Sequence, residues 1–203
     1  NKLAGEIGER NVLHYQNLTA AADYIKTTLA EAGYEVSEQN YPVEGKDCCN
    51  ITAEIVGAEQ PEEIVVVGAH YDSVYGSAGA NDNVSGVAAT LALARRFYGK
   101  KAARTLRLVL FVNEEPPFFQ TGQMGSLVYA KSCREKGENI IAMLSLETIG
   151  YYSDQPKSQK YPFPFNLVYP STGNFIGFVS NRSSHKICLL YTSDAADELD
   201  GVD

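Results

Sequence analysis

The chain alternates between two hydrophobic rhythms. From Asn17 to Ala32 apolar residues recur at Ala21, Tyr24, Ile25 and Leu29, three or four apart, and Gly33 follows. That spacing predicts a helix, with Asn17 or Thr19 as candidate caps. Tyr34 to Val43 alternates and predicts a strand, as does Asn50 to Val56. Glu63 to Ala69 carries Ile-Val-Val-Val, and Thr105 to Asn113 reads TLRLVLFVN. Ile140 to Leu146 is a third run of this kind. Continuous apolar runs of that length predict strands buried on both faces. Between them, Val84 to Tyr98 and Gly125 to Lys136 have helical spacing. Asn166 to Val168 and Phe175 to Val179 suggest further, weaker strands.

From residue 63 onward, strands and helices take turns. That order predicts an α/β fold, a mostly parallel central sheet with helices on both faces. Ser153 to Pro164 is a loop containing Pro and Ser. No internal repeat is visible. Residues 1–187 are read as one domain, cut at both ends, because residue 1 opens inside domain sequence without a Met. Residues 188–203 are expected to be a non-native tail. They begin Cys-Leu-Leu-Tyr-Thr-Ser-Asp-Ala-Ala-Asp-Glu, which resembles a translated sequencing adapter.

That tail changes the charge. The 203 residues carry a formal −8, from 17 basic and 25 acidic side chains. Asp194, Asp197, Glu198, Asp200 and Asp203 all lie in the tail, which leaves 17 basic against 20 acidic residues, or −3. A mildly acidic protein gives no electrostatic case for nucleic acid. No apolar run reaches the ~18 residues of a membrane span. Cys48 and Cys49 are adjacent and Cys133 stands alone, so no CxxC spacing supports a zinc finger or a redox motif.

Candidate chemistry clusters at strand ends, where open α/β sheets form their sites. The first buried strand ends Gly68-Ala69-His70-Tyr71-Asp72, the second Asn113-Glu114-Glu115, and the third Ser145-Leu146-Glu147. His70 and Asp72 face the same way on an extended chain, so the carboxylate can orient the imidazole for a metal. Asn81-Asp82-Asn83 between glycines is richer than a helix cap needs. Glu114 beside Glu115 implies a cation or proton between repelling acids. Each motif alone also reads as a capped turn or a solvated strand end. Together they describe a His-plus-carboxylate site suited to zinc, manganese or cobalt.

Four segments carry a family resemblance: VVVGAHYDSV, GANDNVSGVAATLALAR, FVNEE followed by TGQMGS, and LSLETIGYY. The chain resembles the zinc-dependent aminopeptidases of the aminopeptidase S and aminopeptidase Y type, with glutaminyl cyclases as more distant relatives. The resemblance implies two co-catalytic zinc ions and hydrolysis of N-terminal peptide bonds by a zinc-activated water. It implies His70 and Glu147 as ligands of one zinc and Glu115 of the other. Asp82 would bridge both, often with a cis peptide after it; Glu114 would be the general base, and Asp72 would orient His70. The family takes a further His ligand from a loop later in the chain. His185 is not assigned to that role, and His14 is expected at the surface. One zinc or none is therefore expected to be well held here, with weak activity or none. The resemblance further implies peptide or protein N-termini as partners and a secreted or periplasmic location. Rival readings are a glutaminyl cyclase-like acyltransferase and a catalytically inactive binding domain; a carboxypeptidase or deacylase also remains open.

Overall fold

The computed structural model describes residues 1–184. They fall into two compact units that divide after Tyr151.

The first unit opens with a short π-helical turn, Lys2–Ile7. Helix α1 (Tyr15–Glu31) buries Leu18, Ala21, Ala22, Ile25 and Leu29, the stripe its spacing predicts. Its cap corrects the expectation. His14 sits at the N-cap without a side-chain cap bond. Asn17 Nδ2 donates instead to the Glu9 carbonyl, and Thr19 Oγ1 to the Tyr15 carbonyl. Both residues fall inside the first turns, where their side chains bond backward rather than across the helix start.

Strands β1 (Val36–Val43) and β2 (Lys46–Ile55) form a hairpin in which Val43 faces Lys46. The two residues between them, Glu44 and Gly45, have φ of 50° and 75°. A two-residue turn with both φ positive matches the twist of the flanking strands. Pro42 sits in β1, an edge strand, where a missing N–H is tolerated.

Strand β3 (Gln60–His70) leads through a long loop into α2 (Val84–Phe97). Strand β4 (Arg104–Phe111), α3 (Gly125–Glu135) and β5 (Asn139–Ser145) follow. The sheet order is β1-β2-β4-β3-β5. β3 runs parallel to both neighbours, while β2 is antiparallel to β1 and β4. The three strands that carry the candidate chemistry are thus the parallel ones. Their carboxyl ends are level: His70 pairs with Phe111, and Gly68 with Val109 and Ser145.

The alternating side chains of these strands build two layers. Val67, Ala69, Leu108, Leu110 and Val112 join Ile25, Leu29, Val87 and Leu91 of α1 and α2 in the main core. Ile64, Val66, Val109 and Phe111 pack on the other face, against Tyr129 of α3. Helices therefore cover both faces.

β5 departs from the reading as a strand buried on both faces. It alternates, and Ile141 and Met143 stay 41% and 46% exposed. The reason is position. β5 lies at the sheet edge, where a strand has a neighbour on one side only, and a register shift at Ile141 interrupts its pairing with β3.

In the second unit the two weak strands do not form. Phe165–Leu167 is a 3₁₀ turn, and 175–179 is irregular with Phe175, Ile176, Phe178 and Val179 exposed. Among the described residues neither segment is a strand of the sheet. The 188–203 tail and His185 lie outside the described residues. Among the described residues, no helix is long and apolar enough to cross a membrane.

Candidate metal centre

His70 is the last residue of β3 and is buried. Its Nε2 faces three carboxylates: Asp82 Oδ1 at 3.1 Å, Glu147 Oε1 at 3.6 Å and Glu114 Oε2 at 3.7 Å. On the other side of the ring, Nδ1 lies 3.4 Å from Asp72 Oδ1. That contact has ion-pair distance but not hydrogen-bond geometry. Burial disfavours the imidazolium, yet Asp72 and Glu147 outweigh it and push the His70 pKa up to about 11.

Asp72 does more than face His70. Its Oδ1 accepts the backbone N–H of Glu114 at 3.2 Å, and its Oδ2 that of Glu115 at 3.1 Å. One buried carboxylate thus ties the end of β3 to the end of β4. The Glu114–Glu115 pair follows β4 after Val112 and Asn113, and both acids are partly buried. Burial, then the charge of Asp82, pushes Glu115 up to about 7. Burial also raises Glu114, although His70 pulls the other way. Glu115 Oε1 is buried with no protein partner.

Asp82 and Glu147 come from the loop before α2 and the end of β5. Asn83, fully buried, joins them. Its Nδ2 donates to the Leu146 carbonyl at 2.8 Å and to Glu147 Oε2 at 2.9 Å. Its Oδ1 accepts from Gly86 N, as an N-cap, and from Thr148 N. Ser85 and Asn81 accept from the backbones of Ile149 and Gly150. The Asp82–Asn83 peptide bond is cis.

All six candidate residues therefore converge: His70, Asp72, Asp82, Glu114, Glu115 and Glu147. His70, Asp82 and Glu147 each offer a ligand atom within 4.8 Å of the others. His14 is exposed and pairs with Glu9 instead. The donor set fits a divalent cation. One imidazole nitrogen and several carboxylate oxygens meet at one point, and such acids repel unless positive charge lies between them. The orphaned Glu115 Oε1 fits the same reading.

Sequence reasoning missed Asn83 as an organiser. The surplus of polar residues in Asn81-Asp82-Asn83 was the available signal, but which Asn turns inward depends on β5 arriving beside it. A separate cavity of about 350 Å³ lies by β1, β2, β4 and α3. Its Arg107 is paired with Glu54 and Glu138.

An α/β sheet whose β4, β3 and β5 run parallel, with imidazole and carboxylates gathered at their carboxyl rim, has the frame of the zinc exopeptidases. The chain belongs to peptidase family M28, whose model matches residues 50–195. It is 37% identical over 186 residues to an uncharacterized Escherichia coli protein, YfbL, covering 87% of this chain and 56% of that one. A probable zinc metalloprotease of Leptosphaeria maculans is 28% identical over 182 residues, 77% of this chain and 41% of its own. A Zn-dependent exopeptidase from Parabacteroides distasonis shares the fold at a TM-score of 0.59 and 22% identity, covering 75% of this chain and 60% of that one. The chain thus spans about half the length of the curated relatives it matches.

Proposed function

We propose that the protein is a zinc-dependent aminopeptidase, cleaving the first peptide bond of peptide or protein chains. The observation that carries this reading is the ring of Asp82, Glu114 and Glu147 around His70 Nε2. In it, His70, Asp82 and Glu147 would hold one zinc, and Asp82 and Glu115 would contribute to a second. Among the described residues His70 is the only histidine at the site.

Bound zinc supplies a Lewis acid that lowers the pKa of a water toward ~7. The protein's residues do the rest. Glu114 sits at the same focus as the ligands, and burial raises its affinity for a proton. It takes the proton of the attacking water as the oxygen adds to the scissile carbonyl carbon. It then returns that proton to the leaving amine. Asp72 keeps Glu114 and Glu115 in place through their backbone N–H groups.

The test is zinc-reconstituted protein assayed on aminoacyl anilides and on a peptide with N-terminal glutamine. Weak, zinc-dependent amine release is expected. Glu114→Gln should reduce it by about 100-fold or more while zinc stays bound. Undiminished release in that variant overturns the assignment of the base. Cyclisation of the glutamine without peptide cleavage would replace the peptidase reading by an acyltransferase one. Zinc binding with neither reaction would leave a binding domain.

A further inference from the structure

Arg10 is fully buried in the segment that precedes α1, where Asn11 and Glu9 also bond the loop after His70, through the Ser73 carbonyl and the Gly76 N–H. Its guanidinium is spent on backbone. Nε donates to the Tyr71 carbonyl at 2.6 Å, Nη1 to Gly8 at 3.1 Å and Ala78 at 2.5 Å, and Nη2 to Gly79 at 3.2 Å. No acceptor among these is a carboxylate, which is unusual for a buried cation. Three of the carbonyls belong to the loop that connects His70 to Asp82. One lies at its start, beside Asp72, and two lie near its end.

The backbone of Arg10 holds the same loop. Ser73 N donates to the Arg10 carbonyl at 2.9 Å, and Arg10 N to Ser73 Oγ at 3.1 Å. The Gly79 carbonyl also accepts from Val84 N at 3.1 Å, the first residue of α2. Gly79 has φ of +55°, and a Cβ there would stand 2.4 Å from the Asp82 carbonyl oxygen and 3.1 Å from Arg10 Nη2. The close approach of the guanidinium and the turn into Asp82 are thus one feature. Burial pulls the Arg10 pKa down to about 10, and Asp72, Asp82 and Glu115 act against that fall.

We propose that Arg10 is a positioning residue for the metal centre, clamping the loop between Tyr71 and Asp82 so that Asp72 and Asp82 meet His70 at the spacing a zinc ion requires. It acts through those residues and touches no reacting atom. The proposal rests on the zinc reading above.

The experiment measures zinc affinity of the full chain by competition with a chromophoric chelator, alongside the folded fraction by circular dichroism. Arg10→Met should weaken zinc binding by about 10–100-fold, the size expected when a ligand loses its support. Arg10→Lys keeps the charge but not the fork, so it should lose part of that affinity. Leu29→Ala, in the core under α1, serves as a control for lost stability alone and should leave zinc affinity unchanged. Wild-type affinity in the Met variant overturns the proposal, as does an equal loss in Leu29→Ala. If Arg10→Met fails to fold, Arg10→Lys decides, and wild-type affinity there is equally fatal. A parent chain that binds no zinc removes the zinc reading itself, and the proposal with it; that result is distinct from all the others.

Discussion

Asp72 Oδ2 accepts the backbone N–H of Glu115 at 3.1 Å, across the ends of two parallel strands. The same carboxylate takes the N–H of Glu114 and faces His70 Nδ1. It therefore fixes a proposed ligand on β3 and two acids after β4 relative to each other. Replacing it by Ala leaves two N–H groups without their partner and frees the imidazole. Asp72→Ala should cost about 1–3 kcal/mol in urea unfolding of the zinc-free chain. It should also weaken zinc binding by about 10-fold or more. A variant that unfolds earlier but binds zinc as tightly as the parent would refute the orienting role and leave a structural one.

Asn83 makes an analogous bridge between α2 and β5. It caps α2 through Gly86 N and holds Glu147 by a 2.9 Å bond. Asn83→Ala should lose about 1 kcal/mol for the cap, and more for the unpaired groups left in its place. Asn83→Asp separates the two duties. It keeps the cap oxygen but sets a carboxylate against Glu147. The Asp variant should be less stable than the parent at neutral pH and recover in acid. Equal loss at pH 5 and pH 8, followed by thermal unfolding, would show that repulsion is not the cause.

Much of this arrangement was legible in the sequence. The runs at Glu63 to Ala69 and Thr105 to Asn113 located β3 and β4, and parallel pairing then set His70 and Glu114 on one rim. What escaped depends on the third dimension. β5 has the composition of a strand buried on both faces, but Met143 is exposed because of where that strand lies in the sheet. Arg10 has no signature at all: a single Arg before a helix reads as surface. Only the approach of the loop from Tyr71 to Gly79 makes it a buried clamp. The caps of α1 failed for a related reason. Several polar residues near a helix start all satisfy the propensity, and geometry chooses among them.

Gly86 is a position where space is decisive. It sits in the first turn of α2, and a Cβ would lie 2.3 Å from the Leu146 carbonyl oxygen and 2.6 Å from Asn83 Oδ1. Neither atom can yield cheaply, since one is backbone and the other is the cap. Gly86→Ala should therefore destabilise by about 1–3 kcal/mol despite Ala's better helix propensity. Zinc affinity should fall too, because α2 and the end of β5 must separate where Asp82 and Glu147 meet. A stabilised Gly86→Ala protein in denaturant titration would mean that the helix and strand are not held this closely.

The acid cluster gives the zinc-free protein an unusual pH dependence. Glu115 has its pKa raised to about 7, chiefly by burial and then by Asp82. A carboxyl that holds its proton more tightly when folded favours the folded state at low pH. That contribution is complete below ~4.5, the unfolded value, and is lost as pH rises through about 7. His70 acts in the same direction. Its raised pKa favours folding fully below 6.5, and that benefit fades only toward about 11. Chelator-treated protein should thus gain stability as pH falls from 8 to 5. Zinc should act in the opposite sense, because its ligands must be deprotonated. Its affinity should fall over the same range, with proton release on binding. Calorimetry in buffers of different ionisation enthalpy counts those protons, and melting curves from pH 5 to pH 8 read the stability. Glu115→Gln should flatten the zinc-free slope. If the slope is unchanged in that variant, Glu115 is not the group that titrates.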